Sequence, residues 1–390
     1  MGVSDPVKAL PATWPSVFST YRILSFGGGE VVHGFLRPEL TEDHPEVQEI
    51  LDRWEGTARF QEAPSGIHLV LETEPERPRL ARAGLQGVIH LALFLMTLFT
   101  TLVAGALLQG MDPLGTELIG LGGAFVPVPT GVDVPELLQG WPFALPLMGI
   151  LLGHELGHYV AARLHRIRAS LPYFIPFPPY YSVVGTLGAF IRLRSPMANR
   201  SSLLDVGAAG PIASFLLSIP VLWVGLSLSQ TVPVSAAEFT PYVIQFAGQP
   251  IRIGDGLFVR ALALLHFGGE VGEQAILLHP VAFAGWIGLF VTFLNLLPFG
   301  QLDGGHVGFA IWGRRQRLAG LVFLMSLIPM GFIWWGWWFW GAVAFFINRG
   351  RLSHPSVLLN EVRPGPARRA VGWLCVLILI VTFAPVPVAL

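Results

Sequence analysis

The chain has 390 residues, of which 53% are hydrophobic and only 13% are charged, and its mean hydropathy is +0.60. Soluble proteins average about 25% charged residues, so this composition argues against a soluble enzyme, excludes a disordered chain and indicates a multi-span membrane protein. The net charge of −1 gives no electrostatic support for a nucleic-acid partner. The single cysteine, Cys375, excludes a disulfide within the chain and a thiolate metal site.

Residues 1–82 differ from the rest of the chain, because they hold many charged residues and no long apolar run. The stretch 44–54 predicts a short helix with one apolar stripe, and Asp43 and Glu46 are expected to form its capping box. Two further stretches have a strand-like composition around the turn Gly27-Gly28-Gly29, and they are 21–36 and 67–73. We therefore expect a small soluble α+β domain over residues 1–82.

Seven apolar segments follow, and a helix needs about 20 residues to span a bilayer. The predicted spans are 85–109, 141–164, 203–228, 280–298, 318–329, 331–347 and 371–386. The fifth and sixth are short and are separated by Pro329-Met330-Gly331, so they form either a tight hairpin of two spans or one broken helix. Two spans are preferred, because nearly all basic residues then lie on the same side of the membrane.

Basic residues are distributed unevenly between the segments that join these spans. With a cytosolic N-terminus, the cytosolic segments hold 22 of the 24 lysines and arginines, and the opposite side keeps Arg252 and Arg260. Cytosolic loops carry an excess of Lys and Arg. We therefore expect an integral, multi-pass protein of a bacterial-type plasma membrane or an organelle membrane, with its N-terminus in the cytosol and its C-terminus outside.

The second predicted span ends in His154-Glu155-Leu156-Gly157-His158, the pattern H-E-x-x-H. Residues four apart share one helical face, so both imidazoles can bind one Zn²⁺. Glu155 can take a proton from water bound to the metal, since the ion lowers the pKa of that water to about 7. A solvated helix face is a poor alternative, because ionisable side chains inside an apolar span are costly unless they are satisfied.

A catalytic zinc usually takes three protein ligands, and the best candidate for the third is Asp303, just after the fourth span. Gly304 and Gly305 follow it and are expected to let the backbone turn. The alternative for Asp303 is a helix cap or a turn residue. Asn295 is polar within an apolar run, and its alternative role is an interhelical hydrogen bond. Four other histidines near spans are expected to be satisfied or interfacial rather than ligands: His90, His279, His306 and His354.

The combination of H-E-L-G-H on one span with N-L-L-P-x-G-x-L-D-G-G on a later one resembles the site-2 protease family of intramembrane zinc metalloproteases. The resemblance covers about residues 140–310, and the tail is similar to the chloroplast and cyanobacterial-type branch. It implies one Zn²⁺ per chain with three ligands: His154, His158 and Asp303. It further implies that Glu155 is the general base and acid, and that Asn295 helps to hold the substrate or the tetrahedral intermediate.

Segment 185–193 is similar to the membrane-associated β-hairpin of that family. A helical substrate shields its scissile carbonyl groups, so the protease must bind it in an extended form, and an exposed strand edge can do so by β-addition. The expected substrate-binding residues are Gly185, Thr186, Leu187, Gly188 and Ala189. The alternative is a structural re-entrant segment.

The expected protein is thus an α-helical polytopic membrane protein with about seven transmembrane spans. It divides into a soluble cytosolic α+β domain (1–82), a transmembrane metalloprotease core (83–310) and C-terminal spans (311–390). Its expected activity is zinc-dependent cleavage of transmembrane or membrane-near segments of membrane proteins in the lipid bilayer, as in regulated intramembrane proteolysis.

Two other classes compete with this interpretation. A prenyl-protein endopeptidase would take a glutamate as its third ligand, whereas the matching motif here carries Asp303. A non-proteolytic transporter or scaffold with a structural metal site would have no need of Glu155 as a base.

Overall fold

The computed structural model describes residues 14–26, 29–73, 80–121, 124–233, 242–268, 274–352, 354 and 357–389. The helices in these ranges are α1 (Trp14–Val17), α2 (Pro45–Arg53), α3 (Leu80–Leu107), α4 (Val134–Leu138), α5 (Trp141–Leu164), α6 (Arg200–Ser227), α7 (Leu257–Phe267), α8 (Pro280–Asn295), α9 (Asp303–Trp312), α10 (Gln316–Ile333), α11 (Gly336–Ile347) and α12 (Pro366–Thr382). The strands are β1 (Phe18–Phe26), β2 (Gly29–Leu36), β3 (Gly56–Ala63), β4 (Gly66–Thr73), β5 (Glu117–Leu121), β6 (Ala124–Val128), β7 (Tyr173–Pro176), β8 (Thr186–Phe190), β9 (Gln230–Pro233), β10 (Tyr242–Phe246), β11 (Gln249–Ile253), β12 (Gln274–Leu277) and β13 (Val388–Ala389).

The N-terminal region contains a four-stranded antiparallel sheet with the strand order β1-β2-β4-β3. Helix α2 covers it, and Val47 and Ile50 of its apolar stripe share a buried core with Leu69 and Leu71 of β4. Strand β3 was not predicted, because its residues are mostly polar and at least partly exposed. Residues 27 and 28 of the expected glycine turn lie outside the described residues.

The predicted capping box of α2 is wrong. The N-cap residue is His44, which makes no side-chain capping bond, and Pro45 is at the first helical position. Asp43 therefore lies outside the helix, one residue too early to cap it. The carboxylate of Glu46 instead accepts a hydrogen bond from Ser16 Oγ at 2.8 Å, which ties α2 to α1, the helix directly before β1.

A buried carboxylate joins this sheet to the helical core. Glu72 of β4 is only 2% exposed, and it accepts hydrogen bonds from Arg59, from Ser195 Oγ at 3.0 Å and from Arg168 Nη2 at 3.4 Å. Arg59 belongs to the same sheet, whereas Arg168 and Ser195 follow α5. The cluster therefore holds the two parts of the chain together.

Replacement of Glu72 by alanine should loosen this junction, because it leaves two arginines without their buried counter-ion. Removing one partner of a buried ion pair costs about 3 kcal/mol or more, so limited proteolysis should cut the N-terminal region much faster. The control is Glu49→Ala, which breaks an exposed pair with Arg53 at 3.0 Å that is worth at most about 1 kcal/mol. Equal proteolysis rates for both variants would contradict the assigned role of Glu72.

Among the residues that the structure describes, three segments are long and apolar enough to cross a membrane, and they are Gly84–Leu107, Arg200–Ser227 and Asp303–Ile333. The third comprises α9 and α10, which Gly313 separates with a φ of 59°. The other predicted spans coincide with α5, α8, α11 and α12, which have 24, 16, 12 and 17 residues. The length and composition of the three segments fit an integral membrane protein, and the seven-span topology stays a prediction.

The break between the fifth and sixth predicted spans lies later than expected. Helix α10 continues through Pro329 to Ile333, and membrane helices tolerate an internal proline because neighbouring groups satisfy the freed backbone. The extended backbone of Trp334 ends it. Trp338 of α11 donates from Nε1 to the carbonyl oxygen of Ile328 at 3.1 Å, so the two helices pack on each other.

Helix α6 is the centre of the helical core and packs against α5, α8, α9 and α12. Two glycines permit its close approach to α5. A Cβ atom on Gly157 would lie 2.6 Å from the carbonyl oxygen of Ala209, and one on Gly210 would lie 2.2 Å from His158 Nε2. The approach brings the backbone and hydroxyl groups of α6 within reach of the histidines on α5.

The remaining strands form smaller sheets outside this core. Strands β9 to β13 make a five-stranded sheet in the order β13-β11-β10-β12-β9, and β5 pairs with β6. Most of these strands lie in 110–140 and 230–278, for which no elements were predicted from the sequence. Strands β7 and β8 form a separate antiparallel pair next to α3 and α5.

Candidate metal centre

Three of the predicted site residues, from two helices, meet in the core. His154 and His158 lie on α5, and their Nε2 atoms are 3.0 Å apart. Asp303 begins α9, and its Oδ2 lies 3.3 Å from His154 Nε2 and 3.2 Å from His158 Nε2. Each of the three side chains offers one ligand atom, and these atoms all lie within 4.8 Å of one another. The three predicted ligands are therefore brought together.

The spacing of these atoms fits one zinc ion. Tetrahedral zinc with bonds of about 2.0–2.1 Å holds its nitrogen and oxygen ligands about 3.3 Å apart, and the three observed separations are 3.0, 3.2 and 3.3 Å. His154 and His158 are 3% and 7% exposed. Two imidazoles and a carboxylate are also a donor set that zinc accepts, and they leave one coordination position for water.

Hydrogen bonds orient both imidazole rings. His158 Nδ1 lies 2.7 Å from the carbonyl oxygen of Val206, which can only accept, so Nδ1 carries the proton and Nε2 offers its lone pair to a metal. His154 Nδ1 lies 3.0 Å from Ser214 Oγ, which is 2.8 Å from Thr292 Oγ1. Sequence reasoning missed these partners, because only the packing of α6 and α8 against α5 brings them to the site.

Gly304 and Gly305 position Asp303, but they do not bend the chain as expected. Both lie inside α9. A Cβ atom on Gly304 would be 1.8 Å from the carbonyl oxygen of Leu296, and one on Gly305 would be 2.3 Å from that of Gly300. The glycines therefore let the start of α9 pack directly on the preceding turn. The N-cap residue of α9 is Leu302, so Asp303 is not a helix cap.

Glu155 and Asn295 lie beside the ligand group. Glu155 is 5% exposed, and its carboxylate accepts a hydrogen bond from the backbone N–H of Ile191, just after β8. Asn295 is the last residue of α8, and its Nδ2 lies 3.3 Å from His154 Nε2. The two predicted catalytic residues thus border the position that a metal and its substrate would share.

A cavity of about 230 Å³ opens at the ligand group. Its further lining comes from the end of β8 and the residues after it, from α6, and from α9 and the residues before it: Ala189, Phe190, Ile191, Leu193, Val206, Gln301, Leu302 and His306. Of the five predicted substrate-binding residues, only Ala189 is part of this lining. Phe190 and Ile191 continue the wall, so the end of β8 is closer to the site than its beginning.

The pairing of β7 with β8 explains why the other four residues lie farther away. Phe174 pairs with Ala189, and Gly185 lies at the opposite end of the strand pair. A Cβ atom on Gly185 would be 2.4 Å from the carbonyl oxygen of Thr100, so this glycine, with a φ of 73°, packs against α3. The side chain of Leu187 is exposed.

His306, which was expected to be a satisfied or interfacial histidine, lines the cavity. It lies one turn after Asp303 on α9, and its Nδ1 is 2.7 Å from His354 Nε2. The expectation that these histidines have hydrogen-bond partners agrees with this contact. The position of His306 at the site follows from its spacing of three residues from Asp303, a signal that the sequence already contained.

Residues 142–332 match the family model described as Peptidase family M50. The chain is also similar to three curated plant proteins. "Probable zinc metalloprotease EGY1, chloroplastic" from Arabidopsis thaliana is 33% identical over 318 residues, covering 77% of this chain and 53% of the relative. EGY2 of the same species is 30% identical over 272 residues (66% and 44%), and EGY3 of Oryza sativa subsp. indica is 27% identical over 271 residues (65% and 42%).

The chain spans about half the length of the curated relatives it matches. No solved structure matches it. The matched segment contains both sequence motifs and all five residues predicted for the metal and the catalysis. The chain is an integral membrane protein, and it belongs to the site-2 protease family, Peptidase family M50.

Proposed function

We propose that the chain is an intramembrane zinc endopeptidase that cleaves transmembrane or membrane-near segments of membrane proteins. The observation that carries this proposal is the position of Glu155 beside the group of His154, His158 and Asp303 in one cavity. A structural metal site in a transporter or scaffold needs no such base. The printed names of the relatives, which describe probable zinc metalloproteases, support zinc as the metal.

His154, His158 and Asp303 would hold the ion, with the imidazoles fixed by Val206 and Ser214. Bound zinc would supply Lewis acidity, which activates water and polarises the scissile carbonyl group. Glu155 takes the proton of the attacking water and later donates it to the leaving amine. The backbone N–H of Ile191 keeps the Glu155 carboxylate in this position.

Asn295 provides the remaining polar contact in this mechanism. Its Nδ2 lies 3.3 Å from His154 Nε2. Its amide can therefore donate a hydrogen bond to the oxygen of the scissile carbonyl group of the substrate, where negative charge develops during the attack of water. A prenyl-protein endopeptidase is disfavoured, because the carboxylate grouped with the two histidines comes from Asp303 at the start of α9 rather than from a glutamate.

We propose the seven-span topology with a cytosolic N-terminus and an outer C-terminus, and the division at residues 82 and 310. The charge distribution supports it, since only Arg252 and Arg260 are assigned to the outer side. Arg163 lies in the last turn of α5 and Arg200 is the first residue of α6, so the loop between these helices is cytosolic in this topology. The metal centre then lies towards the cytosolic side of the membrane.

We also propose that β8 binds the substrate backbone. β8 ends at the catalytic cavity, and it pairs with β7 in a two-stranded sheet. A strand with one free edge can accept an extended chain through its backbone groups. The membrane association of this strand pair belongs to the same proposal.

Replacement of Leu187 by proline should lower turnover and leave bound zinc unchanged, because proline has no N–H to offer a substrate strand. Leu187→Ala is the matched control and should be mild, since the leucine side chain is 63% exposed. Ala189→Pro tests the position next to the cavity in the same way. Turnover at the wild-type level in both proline variants, with intact folding, would leave the segment a structural element.

The proposed activity can be tested with purified protein in proteoliposomes that contain a single-span membrane protein. We expect cleavage within or near the span, loss of cleavage on treatment with a zinc chelator, and recovery when zinc is added back. Mass spectrometry of the fragments locates the cut. Cleavage that is insensitive to the chelator would overturn the metal mechanism.

A further inference from the structure

A second cavity, of about 590 Å³, lies at the end of α9 that is far from Asp303. It is bordered by the start of α6, the turn after α9 and the segment before α12. Four arginines line it, and they are Arg200, Arg314, Arg315 and Arg363. Neither the metal centre nor the proposed proteolysis uses this cavity.

The positive charge of this cavity is poorly balanced. Glu361 is the carboxylate in its lining, and its Oε1 accepts a hydrogen bond from Ser65 and lies 3.7 Å from His68 Nε2. In the ranges that the structure describes, no ion pair is found for Arg314, Arg315 or Arg363. Like charges that converge without counter-ions create a positive potential that favours an anionic ligand.

One of these arginines is already fixed in place. Arg200 is 6% exposed, and it donates from Nε to the carbonyl oxygen of Ala310 and from Nη2 to that of Ile311, both at 2.9 Å. A Cβ atom on Gly313 would lie 3.5 Å from its Nη1. An immobilised guanidinium group with free donors is well suited to a phosphate group, whose oxygens match its fork of N–H groups.

A polar acceptor and the position of the cavity narrow the class of ligand. Asn360 lines the cavity, and its Oδ1 is buried with no hydrogen-bond partner among the described residues. Such an oxygen would accept from a hydroxyl group. Arg200 is also the first residue of a segment long enough to span the membrane, so the cavity is at the level where that span begins.

Two tryptophans also lie at the depth of the membrane where this span begins. Trp312 lines the cavity, and its ring packs edge-on against Trp373 with centroids 5.9 Å apart. Trp373 is 54% exposed, and tryptophans are enriched at membrane–water interfaces. Basic pockets between membrane helices at this depth bind anionic lipid headgroups.

We propose that this cavity binds the phosphate group of an anionic glycerophospholipid whose headgroup also carries a hydroxyl group. The arginines contact the phosphate, and Asn360 accepts from the headgroup hydroxyl. Free phosphate shares the anionic chemistry but lacks the acyl chains that would hold a ligand at this level of the membrane.

The test uses full-length protein in detergent, with phosphatidylglycerol, phosphatidylcholine and inorganic phosphate as separate probes, and native mass spectrometry as the readout. Wild type should bind phosphatidylglycerol more tightly than phosphatidylcholine. The variant Arg314→Gln/Arg363→Gln should bind phosphatidylglycerol about 25-fold more weakly, since each basic residue near the surface is worth about five-fold. Arg317→Gln removes a neighbouring charge that does not line the cavity and should change binding less than about two-fold.

Each other outcome overturns the proposal. Equal affinity of wild type for the two lipids, unchanged binding in the double variant or an equal loss in Arg317→Gln would each exclude the site. A further outcome is that wild type shows no preference between the lipids, and that it retains inorganic phosphate whereas the double variant does not. This outcome would assign the cavity to a soluble phosphate compound. Stoichiometric zinc in the double variant shows that it is folded, and the comparison of the two lipids on wild type needs no variant.

Discussion

Replacement of Glu155 by glutamine should reduce cleavage by about 100- to 10,000-fold, the range typical of a lost general base, while zinc stays bound. Glutamine keeps the size of the side chain but cannot take a proton from water. The carboxylate is not one of the three grouped ligand side chains, so its loss should not release the metal. Cleavage of a reconstituted substrate and zinc content per chain are the two measurements.

Glu62→Gln is the matched control for this substitution, because Glu62 is an exposed residue of β3 far along the chain from the site. It should cleave at the wild-type rate. A Glu155→Gln variant that kept most of its activity would remove Glu155 from the mechanism. A variant that lost its zinc would instead make Glu155 part of the metal coordination.

Replacement of Asp303 by alanine should lower zinc content well below one ion per chain and abolish cleavage with it. Altering an outer-shell partner of a ligand already costs about 10- to 100-fold in metal affinity, so the loss of one direct ligand in three should cost at least as much. The measurement is elemental analysis of the purified variant after dialysis against buffer without zinc.

Asn295→Ala is the control for Asp303→Ala, since Asn295 borders the same cavity but supplies an amide rather than a carboxylate. It should keep its zinc and lose only part of its activity. Stoichiometric zinc in Asp303→Ala would show that some other group coordinates the ion. Asp303 would then have only a structural role, as the first residue of α9.

The parts of the site that depend on local geometry were predictable from the sequence. The spacing of His154 and His158 determines that both rings share one face of α5, whatever packs around the helix. The contact of Asp303 with them is not local, because it depends on α9 packing against the preceding turn through Gly304 and Gly305. Asp303 was predicted as a ligand from the complete motif N-L-L-P-x-G-x-L-D-G-G, and its own position in the sequence would not have been enough.

Features that arise only from packing between distant segments were missed. A backbone carbonyl such as that of Val206 has no signature in the sequence, and the hydroxyl of Ser214 is one of many on apolar helices. The end of α10 was misplaced for a related reason. A proline was taken as the break, whereas the extended backbone of Trp334 and the packing of Trp338 on α10 determine where the chain turns.

The most direct test of the proposed intramembrane cleavage is a comparison of peptide termini in membranes that contain either the wild-type protein or Glu155→Gln. We expect new termini within or next to the spans of single-span membrane proteins in the wild-type sample, and uncut forms of the same proteins in the variant sample. Identical sets of termini in the two samples, with both proteins present in equal amounts, would contradict the assignment of protease activity.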